Sequence, residues 1–321
     1  MNKTLQNILS FGASGRIENA QHEYEANYEE YKEILAEYNT ARRNFEQVAT
    51  SYLPLQIKAQ KLAKKIDVFI PTKDKEGRKE IVRKIGFDVE TMVFLENSIS
   101  SGEIAMNTLK GVVGAGVAAA SAPAVIMGLV TAFGTASTGA AISSLSGAAA
   151  TNAALAALGG GSLAAGGGGV AAGSVLLSAS VSVVGIAITA IALPVFSHLS
   201  ANKKIKAIEE EMLKVTREID NLKTEKFKVD YCVSRIMELS ASLKESEKAY
   251  KHLFYKTYRK VFPFGILSKF IKRLQGKIKK QNGYYYSEQE QHSIHVLLKA
   301  AKAMLMIRDT NVIREFENTR G

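Results

Sequence analysis

The sequence has 321 residues, a net charge of +11 and a single cysteine, Cys232. One cysteine excludes an internal disulfide framework, and five prolines with no tryptophan, beside abundant alanine, leucine, glutamate and lysine, favour a mostly helical protein. The N-terminus has no apolar run of signal-peptide length, so we expect a cytoplasmic soluble pool that associates with membranes conditionally.

Charge is distributed very unevenly along the chain. Residues 1–110 carry 16 basic and 16 acidic side chains, and residues 203–321 carry 26 basic and 15 acidic ones. The 92 residues 111–202 contain no Asp, Glu, Lys or Arg and hold 16 of the 25 glycines. We therefore predict an N-terminal helical arm over 1–110, an apolar segment over 111–202, a coiled-coil return arm over 203–248 and a basic, aromatic helical region over 249–321.

Both arms show helical periodicity. In the first arm, apolar residues recur three and four apart from Tyr24 onward, and Pro54 predicts a kink or break. In the second, the same spacing from Ile205 to Leu243 predicts a coiled-coil seam of about five heptads. Since two similar arms flank one apolar segment, we expect an all-α fold: an elongated antiparallel helical bundle or coiled coil with a central Gly/Ala-rich apolar helical hairpin.

The apolar segment is long enough for lipid but only marginally hydrophobic. Residues 170–197 suffice to cross a hydrocarbon core about 30 Å thick. Residues 134–174 are mostly Ala, Gly, Ser and Thr and would not insert alone. This composition favours a segment that is sheltered in water and enters a bilayer after a trigger.

The glycines within this segment do not form a nucleotide-binding loop. Gly161 and Gly166 have the glycine spacing of a P-loop, but Gly167 and Gly168 stand where lysine and Ser/Thr are required. Small residues four apart instead predict tight helix packing or the bend of a hairpin, with a plain flexible linker as the alternative. The predicted zipper positions are Gly139, Ser143, Gly147 and Thr151, then Gly161, Ala165, Gly169 and Gly173.

Residues 138–173, TGAAISSLSGAAATNAALAALGGGSLAAGGGGVAAG, resemble the glycine-zipper segment of bacterial membrane-perturbing proteins, including effectors of antiphage defence. The layout of helical arms around an apolar hairpin is similar to α-helical pore-forming toxins of the cytolysin-A type and to apolipoprotein-L-like proteins. The motif covers about a tenth of the chain. The resemblance implies membrane insertion by several copies, without catalysis.

The C-terminal region is basic and aromatic. Residues 249–287 contain ten basic side chains and no acidic one. This pattern predicts a helix at an anionic membrane surface; nucleic-acid binding and a solvated basic face are the alternatives. The residues expected at the membrane surface are Lys269, Lys272, Arg273, Lys277, Lys279 and Lys280.

No catalytic triad, metal-protease motif or cofactor motif is visible, so we predict a protein that is not an enzyme and has no cofactor or metal. The leading hypothesis is a membrane-disrupting or pore-forming effector that inserts a glycine-zipper hairpin after a trigger. It would act on an anionic lipid bilayer as a homo-oligomer, with a partner protein as sensor or trigger. The alternatives are a constitutive membrane-anchored coiled-coil scaffold, or a nucleic-acid-sensing subunit that uses the basic arm.

Overall fold

The computed structural model describes residues 13–72, 74–113, 142, 147–158, 201–279, 283–310 and 312. Within these residues there is no strand, so the predicted all-α class is confirmed. A 3-10 helix, Lys64–Phe69, directly follows the first α-helix. The α-helices, numbered in chain order, are α1 Ala13–Ala63, α2 Lys75–Lys84, α3 Val89–Val113, α4 Gly147–Leu158, α5 Ala201–Val261, α6 Ile266–Ile278 and α7 Glu288–Arg308.

These residues divide into two compact units. The first contains the described residues up to Glu46 together with the part of α5 that ends at Val233, and the second contains the remainder. The hairpin predicted within 111–202 lies outside the described residues, apart from the end of α3, Ile142, α4 and the first two residues of α5. The hairpin and the four-region division of the chain stay predictions.

A stripe of tyrosines joins α1 to α5 in the first unit. Tyr24, Tyr31 and Tyr38 are seven residues apart, and all three are buried. Heptad spacing keeps them on one face of α1, where their rings cover the seam of α5. The aliphatic residues of that seam are Ile208, Val215, Ile219, Leu222 and Val229.

The two helices of this unit run parallel, so the predicted antiparallel pairing is wrong. The Asn27 amide donates to the Thr216 hydroxyl at 2.8 Å. Ten residues further along both helices, the Lys226 amine lies 3.6 Å from the Glu37 carboxylate. Antiparallel pairing is expected of helices joined by a short loop. Here residues 64–200 connect α1 to α5, and a connection of that length can return the chain to the same end of the pair.

A cysteine pair tests the parallel register. In a Cys232→Ala background, Asn27→Cys with Thr216→Cys should form a disulfide on oxidation, because the two native side chains are in hydrogen-bond contact. The measurement is mass spectrometry of the cross-linked peptide after digestion. The matched control joins Asn27→Cys to Lys226→Cys, a pair that only an antiparallel arrangement brings together, and it should stay reduced. Cross-linking of the control pair alone would contradict the parallel arrangement.

α1 continues through Pro54 as a single helix, so the break that the sequence offered there does not occur, and the alternative of a kink stays a prediction. Proline lacks the N–H of one intrahelical hydrogen bond. Pro54 lies on the exposed side of α1, and the residues before it, Tyr52 and Leu53, are 4% and 2% exposed. We attribute the continuity of the helix to this burial.

An aromatic cluster forms part of the core of the second unit. Phe69 is completely buried, and its ring centroid lies 5.8 Å from that of Phe254 and 5.7 Å from that of Phe262. The Tyr286 hydroxyl donates a 2.7 Å hydrogen bond to the Phe69 carbonyl. The cluster therefore connects the residues after α1, the end of α5 and the segment before α7, and this fixes the chain on both sides of α6.

Candidate functional site

Helix α6 is attached to the second unit by its small and polar residues. Ser268 and Gly276 are its buried residues, and Lys272 lies midway between them at four-residue spacing. The Ser268 hydroxyl accepts a 2.9 Å hydrogen bond from the Phe264 backbone N–H, just before the helix. At Gly276 a Cβ would clash with the Gly283 carbonyl oxygen, so only glycine allows this close approach.

Lys272 anchors the middle of α6. Its Nζ lies 2.8 Å from both carboxylate oxygens of Glu290, and both side chains are 13% exposed. The Lys272 carbonyl also accepts a 3.1 Å hydrogen bond from the Tyr285 backbone N–H. Glu290 is held in turn by the capping box of α7, in which its carboxylate accepts a 2.9 Å hydrogen bond from the Ser287 backbone N–H.

The opposite face of α6 presents large apolar side chains to solvent. Fully burying one such side chain is worth about 1.5–3 kcal/mol, so a contiguous exposed set is unfavourable in water unless another surface covers it. The usual surface helix has the reverse orientation, with its apolar stripe toward the core. On the helix the exposed fractions are 85% for Ile266, 58% for Leu267, 67% for Phe270, 44% for Ile271, 50% for Leu274 and 73% for Ile278, and Phe264, two residues before the helix, is 75% exposed.

The structure divides the predicted membrane-surface cations into two groups. Besides Lys272, Lys269 lies 5.3 Å from the ring centroids of both Tyr258 and Phe262, and Lys279 lies 3.6 Å from that of Tyr285. These are cation–π distances within the protein. Arg273 and Lys277 are exposed, and no ion pair or ring contact joins them to other described residues. Lys280 lies outside the described residues.

The sequence left the orientation of α6 open, because it was compatible both with a membrane-surface helix and with a packed helix that has a solvated basic face. The apolar set recurs with helical spacing, which indicates an amphipathic helix but not the side that faces the protein. The available signal was Ser268 and Gly276, two small residues eight positions apart on the opposite face. Such residues allow a close helix contact, so their spacing could have identified the attached side.

The predicted zipper positions fall mostly outside the part of the chain that the structure describes. Gly139, Ser143, Gly161, Ala165, Gly169 and Gly173 lie outside the described residues. Gly147 is the first residue of α4, and Thr151 is exposed on the same helix. Their proposed packing against other small residues stays a prediction.

Two further side chains, Cys232 and His295, are packed within the protein. Burial raises the pKa of the Cys232 thiol to about 12, which keeps it protonated and unreactive at neutral pH. The His295 ring packs edge-on against Phe87 with centroids 5.3 Å apart. Among the residues that the structure describes, no three His, Cys, Asp or Glu side chains form a cluster that could hold a metal ion.

Within the described ranges, no helix combines sufficient length with sufficient hydropathy to cross a bilayer. Comparisons of the chain with protein-family models, with curated proteins and with solved structures found no match.

Proposed function

We propose that this protein is a membrane-disrupting effector, without enzymatic activity, that acts on anionic lipid bilayers. The single observation that carries the proposal is the outward apolar face of α6, which has cations beside it. An apolar face with adjacent positive charge is the surface of an interfacial helix, whose apolar side chains enter the lipid boundary while its cations meet headgroup phosphates.

The uncharged segment 111–202 supplies the disrupting element in this proposal. The absence of any charged side chain over 92 residues removes the largest cost of entering hydrocarbon. The four-residue spacing of its small residues suits contact between helices within lipid, where tight van der Waals packing contributes to association. Several copies would then bury these faces against one another, in line with the resemblance to glycine-zipper effectors.

The test is release of a self-quenched dye from vesicles of phosphatidylcholine and phosphatidylglycerol at 7:3. We expect release by the wild-type protein after destabilising triggers such as mild acid or warming, and less release by Gly147→Leu and Gly169→Leu. Ala149→Leu is the matched control within α4, because Ala149 is exposed, and it should leave release unchanged. Vesicles that stay intact under every trigger, or equal release by the glycine variants, would count against the proposal.

Fractionation separates this function from that of a constitutive membrane scaffold. The proposed effector has a pool that stays in the supernatant after ultracentrifugation without detergent. A chain that leaves the membrane fraction only with detergent would support the scaffold instead.

A further inference from the structure

We propose that α6 is a pre-formed docking site for the surface of an anionic bilayer, and that it binds this surface while the second unit stays folded. Arg273 and Lys277 provide the electrostatic attraction to the anionic headgroups. This inference rests on the proposed function and specifies its first step. It concerns binding to the bilayer surface, which precedes any insertion of residues 111–202 and can be measured separately from leakage.

The attachment of α6 is what makes the site pre-formed. An isolated amphipathic peptide gains its helix only when it meets lipid and loses conformational entropy at that moment. Here Lys272 with Glu290, and the contact of Gly276 with the Gly283 carbonyl, hold the helix from its polar side. The apolar face is therefore presented before lipid arrives, and docking requires no unfolding.

The charges beside the apolar face specify an anionic surface. At 100° per residue, Arg273 lies just outside the edge of the apolar stripe that Ile266 marks, and Lys277 lies between Ile266 and Phe270. α6 contains no acidic residue, and neither does the wider stretch 249–287. When the apolar side chains enter the headgroup boundary, these two exposed cations can reach the phosphates. Lys269, Lys272 and Lys279 are occupied by partners within the protein.

Two other occupants fit the face less well. A second copy of α6 would match the apolar side chains but would place Arg273 and Lys277 of both copies at one interface, without any acid on either helix to pair with them. A nucleic acid would match Arg273 and Lys277 but would leave the seven apolar side chains without a partner, because its own outer surface is a phosphate backbone. A bilayer satisfies the apolar face and the cations together.

Vesicle flotation tests the inference on the full-length protein at neutral pH, without a trigger. Wild-type protein should float with vesicles of phosphatidylcholine and phosphatidylglycerol at 7:3, and much less with pure phosphatidylcholine. Replacing Arg273 and Lys277 by Gln should weaken the partition about 30-fold, since each cation near an anionic surface contributes about fivefold. Lys256→Gln with Arg259→Gln, two exposed cations of α5, is the matched control and should float like wild type.

A separate variant tests whether the apolar face of α6 is needed for flotation, and a matched control lies in the first unit. Leu267→Asp with Phe270→Asp should abolish flotation while the helical circular dichroism and the thermal unfolding midpoint stay those of wild type, because both side chains are exposed. Leu213→Asp, at a site that is 64% exposed in the first unit, should have no effect on flotation.

The outcomes separate the docking site from the proposed function. Flotation that depends on α6, without dye release under any trigger, supports docking and contradicts disruption. Dye release with flotation unchanged in Leu267→Asp with Phe270→Asp overturns docking by α6. Docking on a bilayer is also overturned if the protein does not float but binds a nucleic-acid oligomer in a salt-dependent way. That binding would need Arg273 and Lys277 but not Leu267. Sedimentation could instead show a concentration-dependent dimer that Leu267→Asp abolishes, while the protein does not float with vesicles. That result would mean that a second copy covers the apolar face, and it would overturn docking on a bilayer.

Discussion

Replacing Arg308 by Met is expected to lower the free energy of unfolding of the second unit by about 3–5 kcal/mol. The Arg308 side chain lies at the C-terminal end of α7, where it is 1% exposed. Met has a similar length but cannot donate a hydrogen bond, so the substitution leaves several buried acceptors without their donor. The measurement is chemical denaturation followed by circular dichroism at 222 nm.

The size of the effect follows from what the Arg308 guanidinium contacts. Its Nη2 donates to the Ser98 carbonyl at 2.9 Å and to the Ser98 hydroxyl at 2.7 Å. Its Nη1 donates to the Gln60 side-chain oxygen, and its Nε donates to the Asp309 carboxylate at 2.6 Å. The Gln60 amide in turn donates to the Ile99 carbonyl at 2.5 Å. One side chain thus joins α7 to both α1 and α3, and the planar fork of arginine supplies all of these donors together.

Two control substitutions distinguish the stability contributed by the hydrogen-bond network of Arg308 from that contributed by a positive charge alone. Arg308→Lys keeps the positive charge but loses the fork, so it should recover only part of the lost stability. Arg259→Met removes an exposed arginine of α5 and should change stability by no more than about 0.5 kcal/mol. A loss below about 1 kcal/mol for Arg308→Met would contradict the assignment of this network as the junction of the three helices.

The sequence predicted the helices and the residues at their seams better than it predicted their arrangement. The spacing from Tyr24 to Tyr38 and from Ile208 to Val229 identified the stripes that are buried in the first unit. Periodicity reports which residues share a face. It carries no information on the direction of the partner helix, and the antiparallel expectation therefore depended only on the presence of two similar arms around one apolar segment.

The composition of the candidate site was predicted, but the role of its central lysine was not. The basic and apolar residues of 249–287 were singled out, yet Lys272 proved to be an anchor that is 13% exposed. Its partner Glu290 lies 18 residues along the chain, in another helix. Arg308 was missed for a similar reason, since its partners Gln60 and Ser98 are more than 200 residues away. Tertiary contacts between single polar residues leave no periodic signal in the sequence.

The second unit is expected to unfold steeply as the pH rises above about 10, because it buries three tyrosine hydroxyls. Burial raises the pKa of Tyr250, Tyr286 and Tyr52 well above the ordinary value of 10.0. The folded state therefore keeps these phenols protonated in a range where the unfolded chain releases the protons. Since the unfolded state then binds fewer protons, stability falls with rising pH, by up to about 1.4 kcal/mol per pH unit for each phenol.

These pKa shifts set the pH range over which stability changes and the direction of that change. The contribution of the three phenols is fully present below pH 10.0, the ordinary tyrosine pKa, and is lost progressively above it. Together they give a slope of up to about 4 kcal/mol per pH unit, enough to exhaust the stability of an ordinary domain within two to three units. Chemical denaturation at intervals between pH 8 and pH 11.5 measures the slope.

Tyr250→Phe isolates one phenol with little cost at neutral pH. The Tyr250 hydroxyl is buried and forms no hydrogen bond with the described residues, so its removal should leave stability at pH 8 unchanged or slightly higher. Tyr286→Phe should instead cost about 1 kcal/mol at pH 8, because that hydroxyl donates to the Phe69 carbonyl. Both variants should reduce the alkaline slope by about 1.4 kcal/mol per pH unit. Tyr255→Phe, at a ring that is 55% exposed, is the control that should leave the slope unchanged. A wild-type slope near zero up to pH 11.5 would contradict the burial of these hydroxyls.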